Sequence, residues 1–200
     1  MSIPAGTKFH GVASTVDTVN KGSAVANAGR DAYTIEQVSD FVVQSKFGFI
    51  DYNDTTGSIS ITEDTWTDVP NNGLGAFTNK TYKPESINDV MDTSTGYLDF
   101  SELSLGSEVL VRNDFKINPH TNNSLLEVRY LLGQGADEYA LNFWSERLDN
   151  GSGIDYQRVL SFPIYMGDLN TQGGVGKLQV RLSTSGVLTN AGSYISIRLR

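Results

Sequence analysis

The fold is decided by residues 108–118, which read Glu-Val-Leu-Val-Arg-Asn-Asp-Phe-Lys-Ile-Asn. In an extended chain successive side chains point to opposite faces, so residues of one parity share a face. Four apolar residues of this stretch have the same parity: Val109, Val111, Phe115 and Ile117. Such alternation is typical of a strand with one buried face and one solvent face. Residues 108–118 are therefore predicted to form a long antiparallel β-strand.

The same alternation recurs along most of the chain from about residue 47 onward. Further strands are predicted at 58–62, 126–132, 139–144, 156–166, 178–182 and 195–199. Clusters of turn-forming residues separate them, at 71–73, 149–153, 171–174 and 189–192. Eight or nine short strands without a β-α-β pattern favour an antiparallel sandwich or barrel over a parallel sheet. We therefore predict an all-β protein whose last strand is a central element of its sheet.

Large aromatic residues and one glycine refine this prediction. Four aromatic residues in or beside the segments of alternating apolar and polar residues are predicted to lie in the core: Phe100, Phe115, Phe143 and Trp144. Residues of the long loop region 63–96 are freer to face a partner: Trp66, Phe77 and Tyr82. Gly48, inside an apolar run, predicts a bulge or bend in a strand.

The N-terminal 45 residues have a different composition. Residues 1–30 are rich in Gly, Ser, Thr, Ala and Asn, and their apolar residues are small and scattered. Such a segment cannot bury enough apolar surface alone to offset the entropy of ordering it. We therefore predict an extended arm that either stays disordered or orders on a neighbouring protein. The candidate partner-contact residues in and beside it are Phe9, Val12, Val16, Arg30 and Tyr33.

Residues 31–45 are predicted to be a short helical linker. Thr34 is a candidate N-cap with Gln37 at the reciprocal position of a capping box, and apolar residues from Ile35 onward form one stripe. The competing interpretation is that a strand already begins at 41–43. The predicted organisation is thus an arm (1–30), a linker (31–45) and a β-sandwich (46–200).

Composition excludes several classes of protein. The chain of 200 residues has no cysteine, which excludes disulfides, thiolate metal sites and cysteine nucleophiles. Its net charge is −8 and the acidic residues concentrate between 31 and 170, so nucleic-acid binding is not expected. No stretch approaches 18 apolar residues and the first residues lack a Sec-type leader pattern, so we expect neither membrane insertion nor Sec export.

Motifs for catalysis, metal binding or cofactor binding are not found. His10 and His120 have no metal-ligand spacing around them, and no nucleophile elbow or phosphate-binding glycine loop occurs. Residues 51–57 lack the spacing of a calcium loop and are predicted to be a hairpin turn. With 23 acidic residues, chance carboxylate pairs such as Asp149 and Asp155 are expected. We therefore predict no catalytic residue, metal or cofactor, and a role in binding or assembly.

Two stretches resemble virion proteins of tailed bacteriophages. Residues 29–38 are similar to short helical linkers of phage structural proteins. Residues 96–112 are similar to the start of the central strands in TNF-like or other jelly rolls. This resemblance implies a head-decoration (cement) or head-fibre type of protein, with an N-terminal arm and a jelly-roll-like β-sandwich that forms a homotrimer. It implies a location in the virion after assembly in the host cytoplasm.

Two roles fit this resemblance, and a third comes from another class of protein. A decoration protein binds the outer surface of the head, with the major capsid protein or another virion protein as its partner. A fibre-tip protein binds a host surface receptor, which can be a glycan. The short arm, and the absence of collagen-like or coiled-coil repeats, favour decoration. The third interpretation is a carbohydrate-binding β-sandwich module.

Overall fold

The computed structural model describes residues 46–151 and 153–200. This part of the chain contains eleven β-strands, in chain order β1 (Phe47–Asn53), β2 (Ser58–Ile61), β3 (Thr67–Asp68), β4 (Met91–Asp92), β5 (Tyr97–Asp99), β6 (Glu108–Pro119), β7 (Ser124–Leu132), β8 (Tyr139–Leu148), β9 (Tyr156–Tyr165), β10 (Val175–Leu182) and β11 (Gly186–Arg198). It also contains a 3₁₀ turn, Gly135–Asp137, and one short helix, α1 (Leu169–Gln172). The predicted arm (1–30) and helical linker (31–45) lie outside the described residues.

The strands form two antiparallel sheets. Sheet 1 has the order β1-β11-β6-β9, and β2 also pairs with β11. Sheet 2 has the order β4-β5-β10-β7-β8, and β3 also pairs with β10. The chain passes repeatedly from one sheet to the other, so that the long strands pair as two interlocked Greek keys. This arrangement is a jelly roll. The predicted all-β, jelly-roll-like sandwich is confirmed, and its last strand is central in sheet 1.

The core lies between the sheets and follows the parity seen in the sequence. In β6 every second residue is buried, and these residues include Val109, Val111, Phe115 and Ile117, as predicted. Sheet 2 contributes the matching set from β7: Leu126, Val128, Tyr130 and Leu132. Burying one such aliphatic or aromatic side chain contributes roughly 1.5–3 kcal/mol, so these two strands supply much of the driving force for folding.

The prediction of a turn at 189–192 is wrong, because these residues lie inside β11. The pairing of β11 with β6 shifts register between Asn190 and Gly192, which leaves Ala191 as the extra residue of a β-bulge. The carbonyl of Ala191 accepts hydrogen bonds from Asp54 N (3.0 Å) and Asn53 Nδ2 (2.8 Å). The turn-like composition therefore marks a bulge that attaches the end of β1 to the centre of the sheet.

The structure also corrects the predictions for Gly48 and for residues 51–57. The register of β1 with β11 continues through Gly48 without a bulge. A Cβ there would lie 2.4 Å from the carbonyl oxygen of Tyr82, so glycine permits the loop to approach β1 closely. Residues 51–57 do not form a hairpin, because β1 and β2 both pair with β11 and not with each other.

Three of the four predicted core aromatic residues pack in the interior, and Trp144 does not. Phe100 and Phe115 are buried, and Phe143 stacks between Tyr130 (5.6 Å between ring centroids) and Phe162 (4.7 Å). The pairing of β7 with β8 shifts register at this point, so Phe143 is the extra residue of a bulge. Trp144 has the opposite parity to the inward-facing Tyr139, Leu141 and Phe143, so it lies on the solvent side and is 41% exposed. Among the described residues, no helix has the length and apolar character needed to cross a membrane.

Candidate functional site

The solvent side of sheet 1 is a continuous face built from four adjacent strands. Its side chains belong to the alternate residues of each strand that point away from the core. At one end of the sheet, register places Phe47, Arg198, Glu108 and Tyr165 in a row across β1, β11, β6 and β9. The next row contains Phe49, Ser196, Leu110 and Pro163, and the third contains Asp51, Tyr194, Arg112 and Ser161. The two ends of this face differ in chemistry.

One end of the face is apolar, although it lies on the solvent side. We define the apolar face as Phe47, Phe49, Leu110, Pro163, Tyr165 and Tyr194. Phe47, Leu110 and Tyr165 are 53%, 43% and 61% exposed, and Val159, 65% exposed, continues the surface along β9. Arg198 and Glu108 lie between Phe47 and Tyr165 in the first row, so the apolar side chains are grouped but interspersed with charges. Groups of exposed large apolar side chains often mark interaction sites on proteins.

Aromatic stacking holds the β1 side of the apolar face in place. The ring of Phe49 lies 5.2 Å from the ring of Tyr82 and 5.4 Å from that of Tyr194. Arg112 lies over Tyr194 at 5.5 Å and pairs with Asp114, with 3.0 Å between Nη2 and Oδ2. Aromatic contacts thus fix the position of Phe49 and Tyr194, and charges of both signs lie beside them.

A second candidate surface lies on the side of the sandwich where β8 and β9 end the two sheets. Among the described strands, β8 pairs only with β7, and β9 pairs only with β6. Arg158 of β9 reaches across to Glu146 of β8 and forms two hydrogen bonds, at 2.6 and 2.5 Å. These bonds lower the pKa of Glu146, so the ion pair stays formed below the ordinary pKa of glutamate. The two unpaired edges are therefore fixed relative to each other.

The other end of sheet 1 carries an open polar groove, the sheet-1 groove, with a volume of about 370 Å³. Its floor comes from the solvent side of β2, β6 and β11, and its wall comes from the chain around residues 120 and 153–155. It is lined by Ser58, Lys116, Asn118, His120, Gly153, Asp155, Val187 and Thr189.

Polar contacts within the groove fix its side chains. Asp155 accepts a hydrogen bond from Asn118 Nδ2 (3.0 Å) and pairs with Lys116, with 3.0 Å between Nζ and Oδ2. The hydrogen bond from Asn118, together with Lys116, lowers the pKa of Asp155. Ser58 and Thr189 share a hydrogen bond of 2.7 Å between their hydroxyl oxygens. The charges of Lys116 and Asp155 therefore compensate each other, and the groove is rich in both donors and acceptors.

Comparison with known proteins gives no family assignment, since no family model and no curated protein matches the chain. Solved structures do match. The chain is similar to Eiger TNF from S. frugiperda (13% identity, 78% of this chain and 94% of the other, TM-score 0.44). It is also similar to murine APRIL (11% identity, 77% of this chain and 100% of the other, TM-score 0.47). A third similar structure is the PRD1 vertex protein P5 (16% identity, 78% of this chain and 98% of the other, TM-score 0.31). All three TM-scores are below 0.5, so the jelly-roll assignment rests on the strand order of this chain.

The residues that the sequence predicted as partner contacts are not tested by this structure. Phe9, Val12, Val16, Arg30 and Tyr33 lie outside the described residues. Of the loop aromatic residues predicted to be free for a partner, Phe77 and Tyr82 are 80% and 59% exposed. Trp66 is half-buried, because the guanidinium of Arg129 lies 3.9 Å from its ring centre.

Sequence reasoning missed the apolar face and the groove. The available signal for the face was apolar residues of the wrong parity: Leu110 lies between Val109 and Val111, and Tyr165 follows the inward-facing Ile164. The groove gave no such signal, because its residues come from strands and loops far apart in the chain. Within residues 46–151 and 153–200, no group of three or more His, Asp or Glu side chains is placed to hold a metal.

Proposed function

We propose that this protein is a non-catalytic structural protein of a virion, which self-associates through sheet 1 and decorates a capsid. The observation that carries the self-association is the apolar face. Phe47, Leu110 and Tyr165 lie on a rigid sheet and are about half exposed or more, and burial against a second subunit would remove that surface from water.

The occupant of the apolar face is, in this proposal, the β8/β9 side of a second copy of the chain. That side offers two strand edges of ten residues each that no described strand pairs with, and proteins usually cover or protect such edges. The same face of sheet 1 carries Arg112, Asp114, Glu108 and Arg198, so both charge signs are available for contacts between identical chains. A contact between two different surfaces forms a ring when its rotation closes and an open filament when it does not, and we propose a closed ring of three.

The virion setting is supported by the resemblance of residues 29–38 and 96–112 to tailed-phage structural proteins. In this proposal residues 1–30 attach to the major capsid protein or to another virion protein. Trimerisation would bring three arms to one capsid site and raise the overall affinity through effective concentration. Cement activity then follows from contacts that span several capsid subunits.

Light scattering on the purified full-length protein tests the self-association. A mass of about three times the 21.8 kDa chain mass is expected at micromolar concentration. A monomer at that concentration would contradict the proposal. Attachment is tested by co-sedimentation with capsids of the virus that encodes the protein. Deletion of residues 1–30 should abolish co-sedimentation and leave the trimer intact, whereas undiminished capsid binding would refute the role of the arm.

A further inference from the structure

We infer that the sheet-1 groove binds the hydroxyl groups of a neutral saccharide. The groove is open and concave, and its volume of about 370 Å³ falls within the roughly 300–1,000 Å³ of small-molecule sites. Its side chains stand on β2, β6 and β11, so the sheet holds the floor rigid. A rigid site loses little conformational entropy when a ligand binds.

The charges in the groove favour a neutral ligand over an ion. The ammonium of Lys116 and the carboxylate of Asp155 neutralise each other at 3.0 Å, so neither an anion nor a cation meets an uncompensated opposite charge. The two side chains are nevertheless 39% and 45% exposed, which leaves donor protons on Lys116 and acceptor lone pairs on Asp155 free for a ligand.

The hydrogen-bonding groups match a polyol. A saccharide hydroxyl donates one hydrogen bond and accepts others. A site that binds neighbouring hydroxyls therefore places an acceptor, such as a carboxylate, beside a donor. Asp155 supplies the carboxylate, and Lys116 together with the amide of Asn118 supplies the donors. The hydroxyls of Ser58 and Thr189 extend this set across the sheet, and the side chain of Val187 gives a small apolar surface for ring C–H groups.

The groove is separate from the apolar face, so this inference does not depend on the proposed self-association. Tyr194 of the face lies opposite Arg112 and Thr189 of the groove lies opposite Lys116, and these two positions are four residues, or roughly 13 Å, apart along β6. No aromatic ring lines the groove, so the stacking that strengthens many saccharide sites is missing. We therefore expect millimolar affinity for a single sugar and stronger binding to a multivalent glycan surface.

Saturation-transfer-difference NMR on the full-length protein tests this inference with four probes: D-glucose, D-galactose, N-acetyl-D-glucosamine and L-rhamnose. At least one probe should receive saturation at millimolar concentration. The Asp155→Asn and Asn118→Ala variants should each weaken that binding about ten-fold, because each removes a charged or amide partner of the sugar. Asp137→Asn, an exposed aspartate in the 3₁₀ turn, is the matched control and should leave binding unchanged.

The outcomes separate this inference from the proposed function. No saturation transfer to any of the four probes, or transfer that both groove variants leave undiminished, would overturn the saccharide site. Light scattering on the same samples reports the self-association independently. A monomeric wild-type protein that still binds a probe through Asp155 would support the groove and reject the proposed assembly. Equal melting temperatures of the variants and the wild type show that the groove variants are folded.

Discussion

Tyr130 of β7 donates a hydrogen bond of 2.9 Å to Asn113 Oδ1 of β6 and thereby joins the two sheets inside the core. Both side chains are at most 1% exposed. Ser193 of the neighbouring β11 donates a second hydrogen bond to the same oxygen at 3.1 Å. Because buried polar groups are costly unless they are paired, this contact ties the packing of sheet 2 to one register on sheet 1.

Replacing Tyr130 by phenylalanine should lower the free energy of unfolding by about 1–1.5 kcal/mol. The ring remains to fill the core, but the hydrogen bond to Asn113 is lost. Urea unfolding followed by fluorescence measures the change. Tyr82→Phe is the matched control, and since Tyr82 is 59% exposed and keeps its ring contact its effect should stay within about 0.5 kcal/mol. Equal effects of the two substitutions would contradict a structural role for the cross-sheet hydrogen bond.

Leu110→Asp should convert the proposed trimer into a monomer. A carboxylate at the centre of the apolar face would lose its hydration on association, and the apolar contact of the leucine would be lost as well. Light scattering measures the mass. Leu125→Asp is the control, because Leu125 is similarly exposed (38% against 43%) and lies on sheet 2. Dissociation by Leu125→Asp instead would move the interface to the other sheet.

The core-facing residues of the strands could be predicted from the sequence, because burial of one face of a strand requires an apolar residue at every second position. Val109, Val111, Phe115 and Ile117 identified β6 and its buried face, and the predicted position of the strand agrees with β6 within one residue. The turn predicted at 189–192 shows the limit of this reasoning. Turn-forming residues also form β-bulges, and only the pairing partner of the strand distinguishes the two.

The two surface sites on the solvent side of sheet 1 could not be predicted in the same way. A single outward apolar residue such as Leu110 is common on soluble proteins, and it becomes informative only when sheet order places Phe49 and Pro163 in the same row. The sheet-1 groove likewise joins Ser58, Asn118 and Asp155, which are distant in sequence. Such sites depend on long-range strand pairing, which local patterns do not encode.

Gly48→Ala should detach the loop around Tyr82 from β1. The added Cβ would lie 2.4 Å from the carbonyl oxygen of Tyr82 and 2.7 Å from Pro84, and backbone must move to relieve this contact. The hydrogen bond from Phe49 N to Tyr82 O (3.0 Å) should break as a result. Limited proteolysis should then cut near residue 82 faster than in the wild type.

The control for Gly48→Ala is Gly135→Ala. Gly135 has a φ of +53° but open space around it, so its substitution introduces backbone strain of roughly 1–2 kcal/mol without a clash. It should leave cleavage near residue 82 unchanged. If Gly48→Ala also left cleavage unchanged, the close approach of the loop would not be what requires glycine at this position.

Alkaline pH should destabilise the protein through its hydrogen-bonded tyrosines. The hydrogen bond to Asp68 raises the pKa of Tyr97 to about 12, and burial raises the pKa of Tyr130 further. The unfolded chain therefore loses these protons first, near the ordinary tyrosine pKa of about 10. The stabilising contribution is complete below that pH and is lost as the pH rises through and above it.

Urea unfolding at pH 8, 10 and 11 measures this decline. Each proton that only the folded state retains lowers the free energy of unfolding by up to about 1.4 kcal/mol per pH unit. Tyr130→Phe removes one such proton, so its stability should fall less steeply than that of the wild type above pH 10. Since other alkaline titrations are common to both proteins, the difference in slope isolates Tyr130. Parallel pH dependences would show that the Tyr130 hydroxyl does not contribute to the alkaline loss of stability.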